Sequence, residues 1–270
     1  MNDVKEKSIE KDLERALKEK YNIEIKKIEK NEESTDGNVY IVYGKDKKYV
    51  IKIYNNIEHT ESMIKLHNSL AELKLNIPYV IMNKQKKGYE KILNTNYFVV
   101  YSFLEGKQLG CNNKIGKLDD EVITLIAKAL REFHKNTKNN KFNLPKVPFE
   151  NNSKNQSVLH FDLTRNNIFI CNNQIGFIDF DDAKYGDSLC DIAILIANLF
   201  FSKTRGVDLQ GMKKFLDEYY CNEKPLKDDD VLLIKEYALR WINYILDGNE
   251  FDTSTTESFK EKYRLIKENL

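Results

Sequence analysis

The chain has 270 residues, with 43 Lys and Arg against 42 Asp and Glu and a formal net charge of +1. This balance argues against a polyanion-binding surface, so no nucleic-acid partner is expected; no apolar run reaches the roughly 18 residues a membrane span needs, so no membrane partner is expected either. The length suffices for one large domain or two lobes, and the scattered Cys111, Cys171, Cys190 and Cys221, with no C-x-x-C pair, suit reduced thiols in a cytoplasm better than a disulfide frame.

The opening segment, MNDVKEKSIEKDLERALKEKY, is charged throughout and lacks the apolar core of a signal peptide. A cytoplasmic protein is expected. Val4, Leu13, Leu17 and Tyr21 recur near helical spacing and predict an amphipathic helix. The period then changes to two: Ile23, Ile25 and Ile28 predict one strand, Val39, Ile41 and Tyr43 a second, and Tyr49 to Tyr54 a third after the polar turn Gly44 to Lys48. A helix carrying Met63, Ile64, Leu66, Leu70 and Leu73 follows, and Pro78 marks a return to strand. Runs 79–83 and 94–103, around the turn near Gly88, predict two more strands. From Gly106 onward the pattern is mainly helical, over 118–134, 188–202, 210–221, 229–246 and 255–269. The boundary is placed at Phe103 to Gly106, giving lobes 1–104 and 105–270.

Val158 to Asp191 carries the chemistry. Phosphoryl transfer from a nucleotide needs a carboxylate beside the attacking hydroxyl, an amide oxygen and a second carboxylate on the metal, and a lysine on the phosphates. Asp162 and Asn167 fall five residues apart on a predicted tight loop. Two short apolar strands, Ile168 to Ile170 and Ile175 to Ile178, then deliver Asp179. As a hairpin they bring Asn167 and Asp179 to one edge, where hard oxygens can share a Mg²⁺ ion. His160 is placed to brace the loop, not to take the proton. A hydrolytic metal site of His160, Asp162 and Asp179 is the competing reading, without further ligands nearby at metal spacing.

The string H-x-D-x-x-x-x-N from His160 to Asn167, then I-D-F at Ile178 to Phe180 and G-D-x-x-x-D at Gly186 to Asp191, resembles the superfamily of aminoglycoside phosphotransferases, choline kinases and homoserine kinases. The resemblance implies a protein-kinase-like α+β fold: a small antiparallel-sheet lobe with one main helix that binds nucleotide, and a larger, mostly helical lobe for catalysis and acceptor binding. It implies ATP or GTP with Mg²⁺ as cofactors, and transfer of the γ-phosphoryl group to a hydroxyl of a small molecule. Asp162 would orient and deprotonate the acceptor, and Asn167 and Asp179 would hold the metal. Lys52, mid-strand in YVIKIY, would hold the α and β phosphates and pair with Glu61, or else Glu58. Backbone amides of Ser34, Thr35, Gly37 and Asn38 would cover the phosphates, and backbone groups of Ser102 and Leu104 would meet the adenine.

Asp187 and Asp191 resemble scaffold carboxylates that hold the catalytic loop. Asp181 stands where the pattern usually has glycine, and Asp182 after it is expected to cap the next turn. The segment between His134 and His160 is short and polar, which leaves the acceptor pocket shallow or closed by the C-terminal helices alone. On one of these, Tyr237, Trp241 and Tyr244 share a face that can box a cationic amine or pack as core. An aminoglycoside or related antibiotic is the first acceptor expected and a choline- or homoserine-type metabolite the alternative, in a monomer or homodimer. A protein kinase needs a longer activation segment than 180–190 allows, and a non-catalytic nucleotide-binding pseudokinase normally lacks a core residue that is present here.

Overall fold

The computed structural model describes residues 2–31, 34, 38–93, 95–110, 116–138, 142–149, 156–221, 227–248 and 250–270. The chain divides into two compact units, Met1–Leu104 and Glu105–Leu270.

In the first unit, helix α1 (Asn2–Ala16) runs into a π-helical turn, Leu17–Tyr21, that ends on Asn22 in a left-handed conformation. Strands β1 (Ile25–Lys30), β2 (Val39–Gly44) and β3 (Lys48–Tyr54) precede helix α2 (Ile57–Glu72), and β4 (Tyr89–Ile92) and β5 (Asn96–Ser102) follow it. The strands form one antiparallel sheet in the order β1-β2-β3-β5-β4. Register turns the period-two pattern into a core. Tyr40 lies opposite Ile51 and Ile51 opposite Val100, so Tyr40, Val42, Ile51, Ile53, Phe98 and Val100 bury one face against Leu13 and Leu17. The other face looks toward α2, whose N-terminus is capped by the Asn56 side chain accepting from His59 N at 3.0 Å.

The predicted strand over 79–83 is corrected: it forms only an isolated bridge, Val80 with Tyr101, supported by Ile81 N donating to Val100 O at 2.8 Å. The edge of β5 is shared, with β4 pairing along its first half and Val80–Ile81 along its second. Pro78 and the polar residues after Ile81 leave too few ladder partners for a full strand.

In the second unit, β6 (Lys107–Gln108), β8 (Ile168–Cys171) and β9 (Gln174–Phe177) form a three-stranded antiparallel sheet, and β7 (Gln156–Leu159) pairs with β10 (Lys184–Asp187). The helices are α3 (Asp120–Thr137), α4 (Ser188–Leu199), α5 (Leu209–Tyr220), α6 (Asp228–Gly248) and α7 (Thr253–Asn269). Helix α4 is apolar nearly all round, so it is buried on every side, packed by α6, β7 and β10. The stretch expected to stay helical to 202 stops at Leu199, because Phe201–Ser202 (β11) turns to pair with Gly206–Val207 (β12). Gly106, which opens this unit, has φ +129°, and a Cβ there would stand 2.6 Å from Ile170 O, so only glycine fits between the chain and β8. Among the described residues no helix is long and apolar enough to cross a membrane.

Candidate active site

The loop Asp162–Asn167 is closed by its own backbone: Thr164 N donates to Asp162 O at 2.9 Å and Asn167 N to Thr164 O at 3.2 Å. Asn167 Nδ2 donates to Asp162 O at 2.9 Å and to Asp162 Oδ2 at 2.7 Å. With its nitrogen so engaged, the amide oxygen of Asn167 is the atom left to face a cation. The β8–β9 hairpin continues one rung further, Ile178 N donating to Asn167 O at 3.1 Å, which sets Asn167 opposite the residue before Asp179. Asp179 is exposed and has φ +64°.

His160 Nε2 lies 2.7 Å from Ile178 O, and its Nδ1 accepts from Asp162 N at 3.3 Å. That pattern needs the Nε2–H tautomer and commits both ring nitrogens, so the ring ties the loop to the hairpin. It also removes His160 from any hydrolytic metal site. Among the described residues no three His, Cys, Asp or Glu side chains are grouped to hold a metal on their own. One carboxylate and one amide oxygen fit Mg²⁺, which fills the rest of its shell with water and phosphate oxygens.

Phe161, one residue before Asp162, has φ +67°, a conformation that costs a bulky residue about 1–3 kcal/mol. Asp191 holds it there. This fully buried carboxylate accepts from His160 N at 2.7 Å and Phe161 N at 2.8 Å, and Oδ2 also meets His134 Nε2 at 3.1 Å. His134 Nδ1 in turn lies 2.7 Å from Tyr219 Oη. Asp191 is thus the scaffold carboxylate the sequence suggested, whereas Asp187 caps α4 through Leu189 N. His134 and Tyr219 carried no sequence signal, since the contacts span 57 and 85 residues.

Burial raises the Asp162 carboxyl above the usual carboxylate range, and Asp182 and Asp179 add to the rise, while His160 and the Asn167 amide oppose it. A carboxylate so raised is a better proton acceptor. Among the described residues Asp182 makes no capping hydrogen bond, contrary to expectation; the turn is closed by Ala183 N donating to Phe180 O at 2.9 Å.

In the first unit, Lys52 alternates with the buried Ile51 and Ile53 and therefore stands on the α2-facing side of the sheet, its Nζ 6.0 Å from the centre of the Tyr54 ring. Glu61 Oε1 accepts from Tyr89 Oη at 3.4 Å. Ser34 N donates to Asn31 O at 3.1 Å, and Asn38, exposed, accepts from Ile53 N at 2.9 Å through its carbonyl. Thr35 and Gly37 lie outside the described residues. The Ser102 N–H donates to Tyr79 O at 2.9 Å, and Leu104 follows beyond the end of β5.

The aromatic stripe divides. Tyr237 and Trp241 are 5% and 2% exposed and belong to the core, while Tyr244, 40% exposed, packs on Phe149 and Phe161. The π face of Trp241 is met at 5.8 Å by the chain's own Lys262 Nζ. Lys262, Arg165 and Arg205 were not singled out in the sequence. A cavity of about 250 Å³ beside the loop Asp162–Asn167 is lined by Leu109, Gly110, Thr164, Arg165, Asn166, Asn198 and Arg205.

Residues 143–220, which include Asp162, Asn167 and Asp179, match the model of the phosphotransferase enzyme family. No curated protein sequence matches the chain. Among solved structures, an amicoumacin kinase in complex with AMP-PNP, Ca²⁺ and Ami is similar at TM-score 0.74 and 13% identity, over 99% of this chain and 96% of that one. The GDP complex of wild-type aminoglycoside 2'-phosphotransferase-IIIa is similar at TM-score 0.67 and 15% identity, over 97% and 99%. The choline kinase LicA from Streptococcus pneumoniae is similar at 0.60 and 16%, over 96% and 97%. The resemblance read from the sequence therefore holds: residues 143–220 carry the phosphotransferase-family pattern, and nearly the whole chain has the kinase-like fold of amicoumacin, aminoglycoside and choline kinases.

Proposed function

We propose that the protein is a cytoplasmic small-molecule kinase that transfers the γ-phosphoryl group of ATP or GTP to a hydroxyl of its acceptor. The observation that carries this reading is the locked loop: Asn167 Nδ2 fixes Asp162 Oδ2 at 2.7 Å while Asp191 and His160 hold the strained backbone beneath it. A carboxylate fixed so firmly, with its proton affinity raised, is preorganised to receive a hydroxyl proton. The acceptor oxygen forms a bond to the γ-phosphorus as the bond from that phosphorus to the β,γ-bridging oxygen breaks. The hydroxyl proton goes to Asp162, and the nucleoside diphosphate leaves.

On this reading the Asn167 amide oxygen and the Asp179 carboxylate hold Mg²⁺, which when bound neutralises charge on the phosphates. Lys52 and Glu61 serve the nucleotide phosphates, the backbone at Ser34, Gly37 and Asn38 covers them, and the backbone at Leu104, with the Ser102 carbonyl, meets the base. The fold neighbours support a nucleotide, being complexes with AMP-PNP and GDP. Aminoglycoside-like antibiotics and choline- or homoserine-type metabolites form the two arms of an acceptor screen. The test is release of ADP or GDP that depends on both acceptor and Mg²⁺. Nucleotide binding without release for any acceptor would identify a non-catalytic module instead.

A further inference from the structure

Three cations converge on one side of the catalytic loop. Arg165 lies within the loop, Arg205 in the turn between β11 and β12, and Lys262 on α7. Lys262 Nζ donates to Asn198 Oδ1 at 2.6 Å, and Asn198 Nδ2 donates to Leu163 O at 3.2 Å, so one amide joins this lysine to the residue after Asp162. Arg205 donates to Asn198 O at 3.2 Å, and Arg165 reaches Leu199 O and Gly116 O only at 3.4 and 3.5 Å. The carbonyl end of α4 offsets part of this positive charge. It does not offset all of it: Arg165 Nε is buried without a hydrogen-bond partner, and among the described residues none of the three cations is ion-paired to a carboxylate. Burial lowers all three, and the charge of Arg205 adds to the fall at the other two: Arg165 to about 10 and Lys262 to about 8, the latter opposed in part by Asp162.

Desolvated cations without counterions are costly in a folded protein and persist where a ligand supplies the missing charge. The cationic acceptor box anticipated at Trp241 is already filled by Lys262. Resting on the transfer reading above, we propose that the cavity is an anion subsite for the acceptor: Arg165 and Arg205, with Asn198 held in place by Lys262, take a carboxylate or phosphate-ester group of the molecule whose hydroxyl faces Asp162. Forked guanidinium donors suit either planar carboxylate or phosphate oxygens.

Inorganic phosphate is the first probe, added at ionic strength held constant with chloride. It should raise the melting temperature of the full chain saturably. The half-saturation concentration should increase at least tenfold in Arg205→Gln, recover in part in Arg205→Lys, and stay unchanged in Lys52→Met, which separates this subsite from the nucleotide phosphate site. Equal responses in wild type and Arg205→Gln, or a loss in Lys52→Met alone, would overturn the proposal. Should Arg205→Gln fail to fold, Arg165→Gln, the other guanidinium lining the cavity, carries the same readout. The second probe is an acceptor panel of hydroxycarboxylates and sugar phosphates against amino alcohols and aminoglycosides. Turnover of anionic acceptors, with the acceptor KM raised about tenfold in Arg205→Gln and the nucleotide KM unchanged, supports the subsite, and the class turned over decides between carboxylate and phosphate ester. Turnover confined to cationic acceptors refutes the subsite and leaves the kinase reading intact. Arg205-dependent phosphate binding without turnover of any acceptor refutes the kinase reading and leaves the subsite standing.

Discussion

Replacing Lys262 by Met should make the protein more stable at neutral pH, against the usual outcome for a partly buried residue making a 2.6 Å hydrogen bond. Burial, reinforced by Arg205 and opposed by Asp162, lowers this ammonium from 10.5 to about 8. A fall of that size corresponds to a cost of about 3 kcal/mol for carrying the charge in the native state. Methionine removes the cost and keeps most of the packing on Trp241 and Phe259, but forfeits the hydrogen bond to Asn198, worth about 1 kcal/mol. The net gain is about 2 kcal/mol, or roughly 4 °C in melting temperature. The sign with pH follows from linkage. The unfolded chain keeps this proton until about 10.5, whereas the native protein releases it from about 8 upward. Between those values the unfolded state binds more protons, so wild-type stability rises with pH there and the cost of Lys262, complete below pH 8, disappears by about 10.5. Thermal melts of both proteins between pH 7 and 10.5 should therefore show the variant's advantage shrinking above pH 8. A variant less stable at pH 7, or a difference that does not move with pH, refutes the reasoning.

Asp162→Ala should cut acceptor-dependent turnover by about 10²- to 10⁴-fold while nucleotide affinity, read by calorimetry, stays nearly intact; equal losses in both would remove Asp162 from the acceptor side. Asp179→Asn should weaken Mg²⁺-dependent nucleotide binding and abolish activity, and unchanged metal dependence would show that another group is the ligand. Gly106→Ala should destabilise by about 1–3 kcal/mol, because it meets both a left-handed φ and the Ile170 carbonyl; an unshifted melt contradicts the close approach. Trp241→Leu should lower the melting temperature, by about 2 kcal/mol of lost packing, with little selective change in acceptor KM. A raised KM at unchanged stability would return the ring to the pocket.

Features set by neighbours in the chain were legible in the amino-acid sequence. The period of two in β2, β3 and β5 and the helical spacing in α3 through α7 record which face each element buries, a property of residues a few positions apart. The loop and hairpin around Asp162, Asn167 and Asp179 could be read likewise, because their hydrogen bonds close within 18 residues. Four things were decided only by the tertiary structure. Val80–Ile81 forms a bridge instead of a strand because β4 occupies the rest of the β5 edge. His134 and Tyr219 came to stand behind Asp191, and Trp241 became core with Lys262 on its face. Arg165, Arg205 and Lys262 look like ordinary surface charges in a chain this rich in them. Their significance is desolvation, and desolvation depends on what distant segments pack around a group, which no local pattern encodes.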